Sequence, residues 1–198
     1  MPRSEEANAR IREGQRKRLM DAAIRVFARK GLAAAKMADI AAEAGVSYGL
    51  AYHYFESKEG LFSALLEWAF SSVERLYGDA LTRPGTPWDR LEWLVTRIVE
   101  GLPEYPEAAL MVLQAFASEA TPSEVREVVN RSMAASQAHL VQLLREGQEA
   151  AQVVAGDPEQ LRTLLNACIQ GLSIASAFPP DAPHGLPSAT MVLRMLRA

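Results

Sequence analysis

The run Ser47-Tyr48-Gly49-Leu50-Ala51-Tyr52-His53-Tyr54-Phe55 concentrates phenol and imidazole groups in one short stretch, with Lys36 upstream and Lys58 just downstream. Hydroxyls, an imidazole and ammonium groups of this kind suit hydrogen bonding to phosphates and base edges. Covalent or metal chemistry is not signalled. The three histidines, His53, His139 and His184, stand at no metal-ligand spacing from one another or from the lone cysteine, Cys168. No glycine-rich phosphate loop and no nucleophile elbow occurs, so no catalytic residue, metal or cofactor is assigned and an enzyme is not expected.

Two short helices must position these groups. The first covers about Met37 to Ala44, with Ile40 and Ala41 inward. Gly45 then supplies the positive φ of a tight turn, Val46 plugs the interface, and Ser47 caps a helix from about Tyr48 to Phe55. This is a helix-turn-helix pattern. Its second helix presents Tyr48, Gly49, Tyr52, His53 and Tyr54 outward in place of aliphatic residues, while Phe55 reads as core. A preceding helix, about Gln15 to Lys30, carries the apolar stripe Leu19, Ala22, Ala23, Val26 and Phe27, and Gly31 stops it. Residues 1–14 are polar and read as a mobile arm, and Arg3, Arg10, Arg12, Arg16, Lys17 and Arg18 either track DNA or contact nothing specific.

Charge is divided to match. The net charge of −3 by itself argues against nucleic acid. Yet residues 1–60 hold eleven Lys/Arg against eight Asp/Glu, with all four lysines, while the remainder holds ten against sixteen. A basic module on an acidic body is the electrostatic footprint of a DNA-binding domain joined to a partner domain. No apolar stretch reaches the roughly 20 residues a bilayer requires, the amino terminus carries no signal-peptide pattern, and the lone cysteine fits a reducing compartment, so a cytoplasmic location is expected.

From Gly31 to Leu61 the chain resembles the TetR (tetracycline-repressor-like) family. The matching pieces are Gly31-Leu32, Asp39-Ile40-Ala41, Ala44-Gly45-Val46-Ser47, Gly49, Tyr52-His53-Tyr54-Phe55 and Ser57-Lys58-Glu59. Two positions depart from the pattern. Ala35-Lys36 replaces the usual pair of hydroxyl residues before the second helix, removing a cap at a cost of about 0.5–2 kcal/mol. Ala51 replaces a larger aliphatic residue. The resemblance implies an all-α fold: a three-helix DNA-binding domain (1–60) joined through helix four to a larger helical effector-binding and dimerisation domain (61–198). It implies a repressor that binds double-stranded DNA at a palindromic operator and is released by a small apolar effector. Tyr48, Gly49 and Leu50 then enter the major groove, and His53 meets a base or a phosphate. Tyr52, Tyr54 and Lys58 anchor phosphates, and Lys36 either restores a phosphate contact or is solvated.

The rest of the chain reads as further helices: about Trp88–Leu102, Pro106–Glu119, a long helix capped at Thr121 and ending near Gln152, one from the Asp157-Pro158-Glu159 cap, and a last one from about Ser188 to Arg197. Pro179–Pro187 reads as a loop. The resemblance implies a pocket between these helices for a small apolar effector, with Trp88, Trp93, Met111, Phe116, His139 and Cys168 as candidate lining residues. It also implies a homodimer through the last two helices, both amphipathic and the last apolar on more than one side. The alternatives are a DNA-binding regulator controlled by a protein partner or acting as an activator, and an all-α interaction module.

Overall fold

The computed structural model describes residues 2–117, 121–178 and 185–198. Glu119, and most of the proline-rich stretch Pro179–Pro187 read as a loop, lie outside the described residues. The chain forms α1 (Pro2–Ala34), α2 (Met37–Ala44), α3 (Tyr48–Tyr54), α4 (Lys58–Thr82), α5 (Pro87–Gly101), α6 (Pro106–Ala117), α7 (Ser123–Glu149), α8 (Pro158–Ser176) and α9 (Ala189–Leu193), with a 3₁₀ turn at Leu102–Glu104. The all-α expectation holds. No described helix is long and apolar enough to cross a membrane.

The chain divides into two compact units. The first comprises residues 1–68 and 110–126, the second residues 69–109 and 127–198. In the first, Leu19, Ala22, Ala23, Val26 and Phe27 are all buried, as their spacing requires. The Phe27 ring meets Phe62 of α4 edge-on, with centroids 4.9 Å apart. Ile40, Leu61, Leu65 and Leu66 close this core. Burying each such side chain stabilises the unit by roughly 1.5–3 kcal/mol. Gly31 breaks α1 at φ 71 and Gly45 ends α2 at φ 66, both in the left-handed region foreseen for them.

Residues 2–14 correct the sequence reading: they continue α1 as helix. Beyond Pro2 the segment is rich in Glu, Ala and Arg, which are strong helix formers, and Gly14 weakens a helix without ending it. Thr121 is corrected too. Its hydroxyl donates to the Ala115 carbonyl at 2.8 Å instead of capping α7.

The second unit is built on Leu91, Leu94 and Val95 of α5, Leu140, Leu143 and Leu144 of α7, Leu165 and Leu172 of α8, and Val192, Leu193 and Leu196. The last helix is a larger correction. Helical assignment ends at Leu193, and the chain then turns to pair with the α7–α8 connection. Arg197 bridges Val153, and the Val154 amide donates to the Leu196 carbonyl at 3.0 Å. Ala189, Val192 and Leu193 of α9 are therefore buried inside their own unit, while Met191 stays 61% exposed. Exposed apolar surface remains on and just beyond α8, at Leu164 and Phe178.

Gly147 shows how tightly this corner is packed. A Cβ there would stand 2.5 Å from Val153 Cγ2, and Val153 is pinned by its amide bond to the Gly147 carbonyl. Gly147→Ala is expected to destabilise the protein by about 1–3 kcal/mol, the scale of overpacking a close-packed core. Urea denaturation measures this, and an unchanged midpoint contradicts it.

Candidate nucleic-acid interface

The turn that presents α3 is set locally. The Ser47 hydroxyl accepts the Leu50 amide at 3.2 Å and caps the helix. Ala51 is fully buried beneath it and Phe55 is core. The missing hydroxyl ahead of α2 is replaced from the other direction. Asp39 accepts the Lys36 amide at 3.0 Å, and the Lys30 ammonium lies 3.0 Å from its second oxygen. A carboxylate in the first turn thus satisfies the amide of the cap residue itself, the opposite half of the capping pair from the one a cap hydroxyl fills.

Arginines of α1 hold α2 in place. Arg25 and Arg29 donate to the two oxygens of Glu43, at 2.8 and 2.6 Å. Hydrogen bonds from Arg25 and then Arg29 hold the Glu43 carboxyl below its ordinary value of 4.5. The Lys30 contact likewise lowers Asp39 below 3.8. Depressed carboxyl pKa values contribute stability that is present above the ordinary values and lost as pH falls through the lowered ones. The first unit is therefore expected to weaken below about pH 4.5 as these carboxylates protonate. Glu43→Gln should flatten that acid limb in urea midpoints taken from about pH 3 to pH 7. Identical acid limbs in both proteins would sink the assignment.

The nine candidate DNA-contact residues fall into distinct groups. Tyr48 and Tyr52 are 55% and 40% exposed, their rings lie 4.8 Å apart, and the Tyr48 hydroxyl donates to that of Tyr52 at 3.2 Å. The paired hydroxyl of Tyr48 shifts the Tyr52 phenol above its ordinary value of 10.0. Gly49 is exposed, with nothing within 4 Å of where a Cβ would stand. His53 is exposed and Leu50 half-buried. A groove of about 410 Å³ brings Lys36, Tyr48, Tyr52 and Lys58 together, with Glu56 and Glu59 also lining it.

Two of the expected phosphate anchors have other work. The Lys58 ammonium donates to the carbonyls of Leu32, Ala33 and Ala35 at 2.9, 3.0 and 3.0 Å. Its three N–H donors match three acceptors at the end of α1, beyond the Gly31 break. The Tyr54 hydroxyl donates to Gln15 Oε1 at 2.9 Å, tying α3 to α1. In each case the donor a phosphate would need is already engaged. Sequence reasoning also missed Gln15 and Gln114, and the packing role of Arg16. The Arg16 guanidinium lies 5.5 Å from the Phe55 ring centroid, and Gln114 Nε2 donates to the Ala28 carbonyl at 2.8 Å. Only tertiary contacts reveal them.

The six candidate effector residues are not collected by one unit: Met111 and Phe116 fall in the first, the other four in the second. Met111 is buried and Phe116 half exposed. Arg197 and Arg83 cover the faces of Trp88 and Trp93 at 4.3 and 4.2 Å from the ring centroids, so those faces are already in use. Cys168 packs against the core as a small apolar residue. His139 is turned partly inward, 3.9 Å from the Cβ position of Gly78, and its Nδ1 is buried without a hydrogen-bond partner among the described residues. A groove of about 500 Å³ lies along α7, lined by Ala138, Val141, Gln142, Arg145, Glu146, Glu149 and Glu159, and none of the six lines it.

Two short helices meeting at a left-handed glycine, the outer one exposing a polar aromatic face on a basic module, define a helix-turn-helix DNA-binding protein. Residues 19–65 match the family of bacterial regulatory proteins described as tetR, and residues 87–198 match the BetI-type transcriptional repressor carboxy-terminal region. The chain belongs to the tetR family of transcriptional regulators, which are not enzymes. It is 34% identical over 165 residues to the HTH-type transcriptional regulator BetI of Rhizobium meliloti, covering 83% of this chain and 78% of that one. Among solved structures it resembles the ketosteroid transcriptional regulator KstR2 of Mycobacterium tuberculosis, with a TM-score of 0.69 at 23% identity, over 92% of this chain and 95% of that one. A regulator from Saccharomonospora viridis in complex with choline gives a TM-score of 0.66 at 23% identity, over 92% and 94%. FadR from Bacillus subtilis in complex with stearoyl-CoA gives 0.60 at 23% identity, over 80% and 85%.

Proposed function

We propose that the protein is a cytoplasmic homodimeric repressor that holds a palindromic operator through α3 and releases it when a small apolar molecule binds the helical region beyond residue 60. The observation that carries the DNA half is the outer face of α3. Tyr48, Gly49 and Tyr52 are exposed, the two tyrosine rings pack against each other on the outer face, and a Cβ at Gly49 would meet nothing within 4 Å. Tyr48 and Gly49 meet base edges with Leu50 on a thymine methyl, and Tyr52, His53 and Lys36 face phosphates. One such helix reads only a few base pairs, so two copies reading half-sites a helical turn apart supply the needed specificity. The exposed Leu164 and Phe178 favour α8 as the dimer contact.

Effector release is supported by the buried His139 Nδ1, which has no hydrogen-bond partner among the described residues and is a ready polar contact for a ligand. Ligand complexes of similar regulators, one with choline and one with stearoyl-CoA, support small-molecule sensing. The choline complex also favours a second reading, in which the effector is a small quaternary ammonium compound.

The test begins with duplexes selected by the protein from a random-sequence pool. Operator affinity is expected to fall steeply with salt, and sedimentation should give a dimer. Choline, fatty acyl-CoA and sterols are then titrated with and without operator. The effector should weaken operator binding by roughly 5–150-fold and be weakened equally by it. A flat salt response removes the DNA-binding reading. Ligands that bind equally well with and without operator are not the effector.

A further inference from the structure

We infer that the amino-terminal extension of α1 is a second DNA-contact surface, in which Arg12 and Asn8 track the backbone phosphates flanking the segment read by α3. This rests on the reading that α3 docks on DNA. The family match begins at residue 19 and α1 at Pro2, so α1 runs several turns ahead of the matched residues. Where it leaves the body is fixed by two contacts with the carboxy-terminal end of α3. Tyr54 donates to Gln15, and the Arg16 guanidinium stacks over Phe55. The extension therefore departs from the end of the candidate reading helix.

Helical periodicity then decides which of its residues share that side. Positions three and four apart lie on one face. Arg12 precedes Gln15 by three and Arg16 by four, and Asn8 precedes Arg12 by four. The polar stripe that touches α3 thus continues for two further turns as Arg12 and Asn8, both exposed. Arg12 has no ion-pair partner among the described residues. Arg10, equally exposed, lies more than 100° around the helix from this stripe, at roughly 100° per residue. Thirteen helical residues from Pro2 to Gly14 span about 20 Å at about 1.5 Å per residue. Spaced phosphates along one strand, roughly 3.4 Å per step, fit that reach several times over. From Asn8 to Arg16 the stripe carries two arginines and no carboxylate, which suits that polyanion.

The experiment compares Arg12→Gln and Arg10→Gln in the full chain. Each removes one positive charge and keeps a good helix former, so net charge and helicity are matched. Binding to the duplex selected from the random pool is measured from about 50 to 200 mM salt, together with binding to a scrambled duplex. Arg12→Gln should reduce the salt slope by about one and weaken both duplexes alike, by roughly 3–10-fold, leaving their ratio unchanged. Arg10→Gln should leave slope and affinity near those of the unaltered protein. Equal losses from both variants would indicate a general charge effect and overturn the inference. So would no loss from Arg12→Gln, or a change of oligomeric state, which would make the extension a contact between copies. If the unaltered chain fails to bind any selected duplex, the underlying DNA-binding reading falls with it. A bound chain with an indifferent Arg12 removes this inference alone.

Discussion

Replacing Lys58 by alanine is expected to lower the unfolding midpoint while leaving the salt slope of DNA binding unchanged. The Lys58 side chain is only 24% exposed, and its ammonium gathers three backbone carbonyls from the end of α1. Those carbonyls belong to a segment whose helical bonding is broken at Gly31, so they lack the partners an unbroken helix would give them. Charge-assisted bonds of this kind contribute more than neutral ones, but the site is partly wet. A net loss of about 1–3 kcal/mol follows, or roughly 2–12 °C in a chain of this length. Lys58→Arg discriminates between roles. A phosphate anchor tolerates arginine, which keeps the charge. A tripod of carbonyls does not, because the planar guanidinium cannot converge its donors as an ammonium does. Lys58→Arg should therefore remain destabilised. A slope reduced by about 0.9 with an unchanged midpoint would restore the phosphate role.

The second large effect has opposite signs in two measurements. Gly49→Ala should stabilise the free protein slightly and impair operator binding strongly. A methyl at Gly49 meets nothing in its own chain, and alanine is the better helix former by up to about 1 kcal/mol, less near a helix start. In the docked state the same methyl occupies space between α3 and the groove. Overpacking a close contact costs about 1–3 kcal/mol, or roughly 5- to 150-fold in affinity. Thermal unfolding and binding to the selected duplex measure the two effects on one sample. If affinity is unaltered while stability rises, Gly49 does not approach DNA. If both fall, the glycine serves the fold.

The division between what was legible and what was not follows the range of the interactions. Gly31 and Gly45 as helix stops, Ser47 as the cap of α3 and the buried stripe from Leu19 to Phe27 are all local. Each follows from backbone sterics, one side chain reaching an amide three residues on, or helical periodicity. The amino-acid sequence determined these, and with them the helix-turn-helix and its exposed aromatic face. The functions of Lys58 and Tyr54 could not be read that way. Their partners lie 23 to 26 and 39 residues away, and nothing in type or spacing tells an ammonium or a phenol facing solvent from one facing a carbonyl or an amide oxygen. The same holds for Trp88 and Trp93, large apolar residues whose faces proved to be covered by Arg197 and Arg83. The last helix shows the limit most clearly. Its pattern allowed an outward face for a partner, but an apolar side chain gains equally from any surface that excludes water. Tertiary packing spent Val192, Leu193 and Leu196 on the unit's own core, because the hydrophobic effect has no direction and proximity within one chain decides what it buries.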